Sequence, residues 1–401
     1  FSSASTQFDV KTAKAALFPS LSFSTSQQVV NRPYQETSSR VSGSEIISSN
    51  SKTSYNGNYG LNASWTLYNG NKRLKTIQQE KLNNQVAELD VATSENNIQE
   101  SIAQVYIQIL YAAESVKVNE STLQVSIAQR DRGQELLNAG SIAKSDFAQL
   151  EAQVSTDRYQ LVTAQATLED YKLQLKQLLE LDGENEMNIY LPALSDENVL
   201  APLPTKKDVY IRALSLRPEI EASKLNVEAS ELGIGIAKSS YLPTISLSAG
   251  IGTNHTSGSD FTFGEQVKNG WNNSIGLSVS VPIFNNRQTK SAVQKAKLQY
   301  ETSMLSLLDE QKTLYKTIEG LWLDANSAQQ RYAAANEKLK STQISYELIS
   351  EQFNLGMKNT IELLTEKNNL LQAQQEQLQA KYMAILNMQL LKFYQGDQLA
   401  I

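Results

Sequence analysis

The chain has 401 residues, with 36 Lys and Arg against 42 Asp and Glu, a net charge of −6, one histidine and no cysteine. That balance excludes the basic face expected of a nucleic-acid binder, and the missing thiols exclude disulfides, thiolate metal sites and cysteine nucleophiles. The length exceeds one ordinary core, so two domains or one elongated repetitive body is expected.

Phe1 opens inside a helical pattern already under way, so the native N-terminus is expected upstream. The stretch AKAALFPSLSFS (13–24) runs from a helix end through Pro19 into an alternating strand. In 21–27 and 60–68, Leu21, Phe23, Leu61, Ala63, Trp65 and Leu67 alternate with Ser22, Ser24, Asn62, Ser64 and Thr66. Such a period of two gives one apolar and one polar face. A Ser/Asn-rich loop is expected over 28–56.

Residues 34–191 contain no proline, and 71–182 contain only Gly133 and Gly140, so helix is the default reading there. Taken as one helix, residues 71–136 would extend about 100 Å. No run of 18 apolar residues interrupts it, since even VYIQILYAA (105–113) is short and holds Gln108. No transmembrane helix is therefore expected, and β-strands are left as the route across a bilayer. The turn LLNAGSIAKSDFAQL (136–150) places Gly140 where a left-handed residue can end a helix and Asp146 in the first turn of the next. A return helix over 143–181 carries Leu161, Leu168 and Leu175 at heptad spacing. The connector 182–208, rich in proline and acids, is expected to cross the outside, and 207–240 is expected as a further helix.

AKSSYLPTISLS (237–248) then repeats the opening junction. Ile245, Leu247, Ala249 and Ile251, and afterwards Ile275, Leu277, Val279, Val281 and Ile283, alternate with Ser and Gly around a loop at 253–272. Residues 283–401 again lack proline. Leu314, Ile318, Leu321, Ala325, Ala328, Tyr332, Ala335 and Leu339 step 4-3-4-3, the seam of a coiled coil. Leu364, Leu371, Leu378 and Ile385 recur every seven residues on the return helix, 359–393.

Subtracting 216 from the seam gives Ile98, Ile102, Val105, Ile109, Ala112, Val116, Asn119 and Leu123, the same pattern with one polar member. The same offset aligns Gly140 with Gly356 and Asp146 with Glu362, so the chain is an internal repeat. The first repeat is 1–204: a β-hairpin at 18–69, a helical hairpin at 70–181 and an equatorial connector at 182–204. The second is 205–401: a helix at 207–240, a β-hairpin at 241–284, a helical hairpin at 285–393 and a tail at 394–401. Aligning Phe8 with Leu232 suggests about 20 residues before Phe1.

Phe18, Tyr59, Tyr68, Tyr241, Trp271 and Phe284 gather at strand ends, as in the aromatic girdle of a membrane barrel. Four strands cannot close one, because the smallest bacterial examples use about 8, and open edges in lipid cost several kcal/mol per group. The barrel is therefore expected to be shared: two copies supply eight strands and three copies twelve.

In the paired AK[AS][AS]-x-x-P-[ST]-[LI]-S junctions (13–22 and 237–246), in LYNGNK (67–72) and IFNNRQ (283–288), and in FNLGMKNTIELL (353–364), the chain resembles TolC-family outer-membrane efflux factors. The resemblance runs through both repeats. It implies a mainly α fold with a small β part, in which long antiparallel coiled-coil helices form an α-barrel tunnel. Four strands would contribute to a shared 12-stranded transmembrane β-barrel of a homotrimer. It further implies a passive exit duct of tripartite efflux or type I secretion in the outer membrane of a Gram-negative cell, with a large periplasmic extension. The implied partners are a periplasmic adaptor, an inner-membrane transporter and outer-membrane lipid, with no cofactor, metal, nucleic acid or catalysis.

Carried over residue by residue, the resemblance implies a periplasmic gate of Ser145, Asp146, Phe353, Lys358 and Glu362. A second acid of the family pattern falls on Thr365, beside Glu366, and Gly140, Ser141, Gly356 and Met357 are the turn tips for adaptor contact. Three copies of Glu362 around one axis would favour cations. The plain alternative is that these acids are ordinary first-turn residues. Gly233 and Gly235 precede a strand from within a helix, so a helix–helix contact is expected rather than a dinucleotide site. His255 lies alone in a Ser/Gly loop, which argues against metal binding or general-base work, and Trp322 beside the seam is expected to pack. A non-conducting trimeric coiled-coil scaffold or adhesin of the cell envelope would explain the heptads equally well, but not the polar rows on every strand.

Overall fold

The computed structural model describes residues 1–34, 38–42, 45–49, 52–181, 189–190, 199–259 and 261–399. A helix α1 (Ser2–Ala15) leads through Pro19 into β1 (Ser20–Asn31), followed by β2 (Ser38–Ser42), β3 (Glu45–Ser49) and β4 (Thr53–Asn69). The first helical hairpin is α2 (Lys72–Asn138) and α3 (Lys144–Leu178). After α4 (Lys206–Leu216) and α5 (Pro218–Ser239) come β5 (Thr244–Thr256), α6 (Phe263–Asn269) and β6 (Asn272–Ser280). The second hairpin is α7 (Gln288–Asn354) and α8 (Thr360–Tyr394). Most of the expected connector, 182–188 and 191–198, lies outside the described residues, as do Ala400 and Ile401 of the tail.

Helices α2 and α7 both have 67 residues, α3 and α8 both have 35, and each pair starts 216 positions apart. The strand-to-helix junctions match as well. Gly70 and Asn71 take φ of 67° and 63°, and their counterparts Asn286 and Arg287 take 51° and 64°. Two successive left-handed residues turn the chain sharply at each exit, which explains the Asn/Gly-rich YNGN and NNR sequences there. At Gly70 a Cβ would stand 2.8 Å from the Ser239 carbonyl oxygen, so close approach as well as conformation calls for glycine.

Four strands form one antiparallel sheet in the order β1-β4-β5-β6, with β2 and β3 paired separately. The register aligns Phe23 with Leu61, Leu61 with Ile251, and Ala249 with Ile275; one residue along, Ser22 faces Asn62, Asn62 faces Gly250 and Ser248 faces Gly276. Since partners across an antiparallel pair share a face, the alternation of each strand becomes one apolar and one Ser/Asn/Gly surface of the whole sheet. Leu21, Phe23, Leu61, Trp65, Ile275 and Leu277 are exposed on the apolar side. Among the described residues β1 pairs only with β4 and β6 only with β5, which leaves both outer edges of the sheet without a strand partner there.

Contacts divide the chain into two compact units, Phe1–Leu89 with Ala222–Leu307 and Asp90–Glu221 with Leu308–Ile401, each drawing on both sequence halves. The first holds the sheet, where Trp65 donates its indole N–H to the Leu17 carbonyl at 2.7 Å and Arg73 donates to the Ala16 carbonyl at 2.8 Å. The expected contact at the paired glycines is present there: Lys75 donates to the Gly235 carbonyl at 3.4 Å, and a Cβ on Gly235 would meet that lysine side chain.

In the second unit the seam residues Leu314, Ile318, Ala325, Ala328, Tyr332 and Ala335 are buried, as are Ile109, Ala112, Asn119 and Leu123 of the first repeat. Burying each Leu or Ile in this way contributes roughly 2 kcal/mol. Ile98, the first residue of the expected seam, is instead 49% exposed. Trp322 packs against this core and donates to the Pro204 carbonyl at 3.0 Å.

Three details differ from the sequence reading. The helix expected over 207–240 is two, because Arg217 is extended (ψ 124°) before Pro218. Proline both removes an N–H and crowds its predecessor out of the helical region. Arg217 is buried, donates to Glu219 at 2.8 Å and Glu100 at 3.3 Å, and lies 4.1 Å from the Tyr394 ring centre. The regions read as loops, 28–56 and 253–272, contain strand extensions, the β2–β3 hairpin and α6. In the strand extensions the alternation breaks, at Gln27, Gln28, Val29 and Val30 in one half and at Asn254, His255 and Thr256 in the other, so the period of two that marks a strand is lost. Finally, β6 ends at Ser280, before Pro282, rather than continuing to Ile283.

Candidate functional site

The tips of the two helical hairpins share one backbone construction. At the first, Gly140 (φ 73°) donates to the Leu137 carbonyl at 2.9 Å and Ser141 to the Leu136 carbonyl at 2.8 Å; at the second, Gly356 (φ 75°) donates to Phe353 at 3.0 Å and Met357 to Gln352 at 2.9 Å. These paired bonds around a left-handed glycine satisfy carbonyls that the helix end would leave bare. Gly140, Ser141, Gly356 and Met357 are all exposed, Met357 to 70%.

The helix starts that follow differ in chemistry. In the second hairpin the Asn359 side chain accepts from the Glu362 N–H at 2.9 Å while the Glu362 carboxylate accepts from the Asn359 N–H at 3.1 Å, a reciprocal cap. In the first, Asp146 accepts from the Ala143 N–H at 3.2 Å, but Ala143 offers no side-chain acceptor in return. Glu362 also receives the Lys358 ammonium at 2.5 Å. The lysine, and behind it the Asn359 N–H, hold the Glu362 carboxyl below the usual carboxylate range.

The other expected gate residues divide between surface and interior. Ser145 and Thr365 are exposed, and Asp146 and Glu366 partly so; Glu366 accepts from Ser345 at 3.1 Å. Phe353 is 3% exposed and packs with Leu150 and Leu363, joining α7, α3 and α8 just above the turns. The structure thus brings Lys358 and Glu362 together and places Phe353 among apolar neighbours.

Farther from the tips lies a charged group that sequence reasoning missed. Ser126 on α2, Asp157 on α3 and Lys367 on α8 are 2%, 1% and 3% exposed. The Lys367 ammonium donates to both the Asp157 carboxylate and the Ser126 hydroxyl, Ser126 donates to Asp157, and Gln153 donates to the second carboxylate oxygen at 2.9 Å. Burial pushes the Lys367 ammonium down from its ordinary value, and the Asp157 carboxylate opposes that shift. The signal was available in the spacing. Val154, Asp157 and Leu161, and likewise Leu364, Lys367 and Leu371, follow 3-4 steps, so polar side chains occupy seam positions.

Elsewhere, the His255 ring lies among Tyr55, Tyr59 and Phe263 at centre distances of 5.3, 5.9 and 5.0 Å. Among the described residues no group of His, Asp and Glu could hold a metal ion, and no helix is long and apolar enough to cross a membrane.

The family model described as outer membrane efflux protein matches residues 2–180 and 209–396. The outer membrane efflux protein BepC of Brucella suis biovar 1 is 24% identical over 290 residues, covering 72% of this chain and 60% of that protein. The outer membrane protein TolC of Escherichia coli K12 is 23% identical over 311 residues, covering 75% and 62%. The matched stretches thus span about three fifths of each of these two relatives. Among solved structures, CusC, described in terms of folding and transmembrane channel formation, superposes with a TM-score of 0.80 at 19% identity, over 99% of this chain and 87% of that one.

Proposed function

This outer-membrane chain belongs to the outer membrane efflux protein family, and from that membership we propose that it is one subunit of an exit duct. Three copies would pool twelve strands into one closed barrel. The barrel would conduct substrates passively from a periplasmic adaptor and an inner-membrane transporter to the exterior, in efflux or type I secretion. One observation carries the reading: a four-stranded sheet whose apolar face is continuous, whose opposite face is Ser/Asn/Gly, and whose two edges are open among the described residues. In hydrocarbon every backbone N–H and C=O needs a partner, so such a sheet is satisfied only by joining further strands into a ring. The apolar side then meets acyl chains and the hydroxyl side lines the lumen.

The gate is assigned to the hairpin tips. Glu362, Lys358, Asp146, Ser145, Thr365 and Glu366 would set the charge at the aperture, Phe353 would hold the two hairpins together above it, and Met357 with the exposed glycine turns would meet the adaptor. No catalytic step is assigned to any residue. The purified protein in a planar lipid bilayer is the test: discrete, cation-preferring conductance steps are expected. An impermeable oligomer would overturn the duct and leave the scaffold reading; a monomer that stays soluble without detergent would overturn both.

A further inference from the structure

The buried Ser126–Asp157–Lys367 group occurs once where the repeat would allow it twice. Its counterparts at 216 positions' distance are Thr342, Ala373 and Glu151. Thr342 donates to the Lys338 carbonyl of its own helix at 2.8 Å, Ala373 is buried without a polar atom, and Glu151 is exposed. The charged group joins α2 and α3 of the first hairpin to α8 of the second. By the repeat relation, the uncharged set would join α7 and α8 to α3 of a neighbouring copy. The two kinds of seam in a ring of copies would therefore differ: the one inside each chain has a buried, hydrogen-bonded ion pair, and the one between chains has alanine in its place.

A buried pair of this kind is hard to part. Separating Lys367 from Asp157 leaves two charges in a site shielded from water, whereas sliding an alanine-lined contact breaks no polar bond. Such pairs also fix the register between helices. We infer that Ser126, Asp157 and Lys367 are positioning residues that bolt α3 to α8 within each chain, so that the aperture widens at the seams between copies. The inference rests on the proposed gate at the hairpin tips and specifies where it parts.

The chain lacks cysteine, so a Gln153→Cys, Asn368→Cys pair, whose native side chains meet across α3 and α8 at 3.5 Å, can be bridged by a short cleavable dithiol-reactive linker; it gives up the Gln153 hydrogen bond to Asp157 but keeps the Lys367 and Ser126 bonds, so the unbridged double-cysteine chain is the reference. Planar-bilayer currents of the full chain are compared before bridging, after bridging and after cleavage. The same comparison is made in a background carrying Asp157→Leu and Lys367→Met, apolar replacements of similar size that leave no unpaired buried charge. With the bolt present, bridging is expected to change open conductance by less than about 1.2-fold; without it, bridging is expected to lower conductance at least about 2-fold, reversibly.

A reversible drop of 2-fold or more in the chain that keeps the ion pair would overturn the inference, because the inner seam would then part during normal opening. Equal insensitivity in both backgrounds would also overturn it, since something other than the ion pair would be holding the seam. Failure of the gate itself is read separately: currents that ignore substitution of the tip charges Asp146 and Glu362 would remove the gate assignment and this inference with it, whereas tip-sensitive currents with a bridge-sensitive inner seam would remove only the bolt.

Discussion

The Lys358 ammonium and the Glu362 carboxylate meet at 2.5 Å one helical turn apart at the start of α8, on residues that also belong to the hairpin tip. Each copy in a ring would bring one such pair to the aperture. Replacing Glu362 with alanine frees the lysine charge and is expected to raise open conductance or lower cation preference by roughly two-fold. Asp146→Ala is expected to act in the same direction. Reversal-potential measurements in salt gradients check this, and unchanged currents in both variants would remove the gate assignment.

The same pair carries a pH signature. Because the folded state holds the Glu362 carboxyl below its ordinary range, its contribution is present above that range and lost as pH falls through the lowered value. Cation preference should therefore persist through mild acid and fade only below about pH 4.5, the ordinary value. Recording selectivity at stepwise lower pH tests it; loss between pH 7 and about 6 would point to another titrating group.

Unequal caps predict unequal tips. Asn359→Ala removes an acceptor used by the Glu362 N–H and should cost about 1 kcal/mol locally, while Ala143→Asn should stabilise the first tip by a similar amount. Amide hydrogen exchange at residues 144–148 and 360–364 would resolve the two effects, each confined to its own hairpin.

Glycine substitutions should rank by surroundings. At Gly140 and Gly356 an added methyl group meets nothing within 4 Å, so alanine costs only the left-handed conformation, about 1 kcal/mol. At Gly70 the methyl would also press on the Ser239 carbonyl and Leu242. Gly70→Ala should therefore destabilise more than either tip variant, as read by thermal unfolding in detergent.

Arg217 is held between two carboxylates and an aromatic face, and burial already pushes the Glu100 carboxyl up despite the nearby guanidinium. Arg217→Met would leave Glu100 and Glu219 half-buried without their cation, at a cost of about 3 kcal/mol. Because the folded state raises the Glu100 pKa, that group favours the folded chain most in acid and loses its advantage as pH rises through the raised value. The variant's deficit should accordingly narrow on acidification, which unfolding at two pH values would reveal.

What could be read beforehand followed periodicity. The helix expected at 71–136 ends within two residues of α2, and the strand faces emerged because Ser and Leu alternate over most of each strand's length. Beyond Thr25 the alternation breaks at Gln27, Gln28, Val29 and Val30, and beyond Thr253 the residues are all polar, while the strand hydrogen bonds continue. The turn glycines were legible because left-handed geometry selects for them. The family motif marks Phe353, and which side of α7 it occupies depends on Leu150, some 200 positions away. The 3-4 spacing marks Asp157 and Lys367 as polar seam positions but not as partners, since neither half of a buried ion pair announces the other.

The residue-for-residue agreement of α2 with α7 and of α3 with α8 constrains how this chain can change over evolutionary time. One codon inserted into a single long helix would rotate everything beyond it by about 100° and advance its tip by about 1.5 Å relative to the twin. Lengthening without scrambling the interlocked rows would take whole heptads, added to both repeats and to the outgoing and returning arms together. The segments between paired strands, where a β2–β3 hairpin stands in one half and α6 in the other, interrupt no long helix and can diverge one residue at a time.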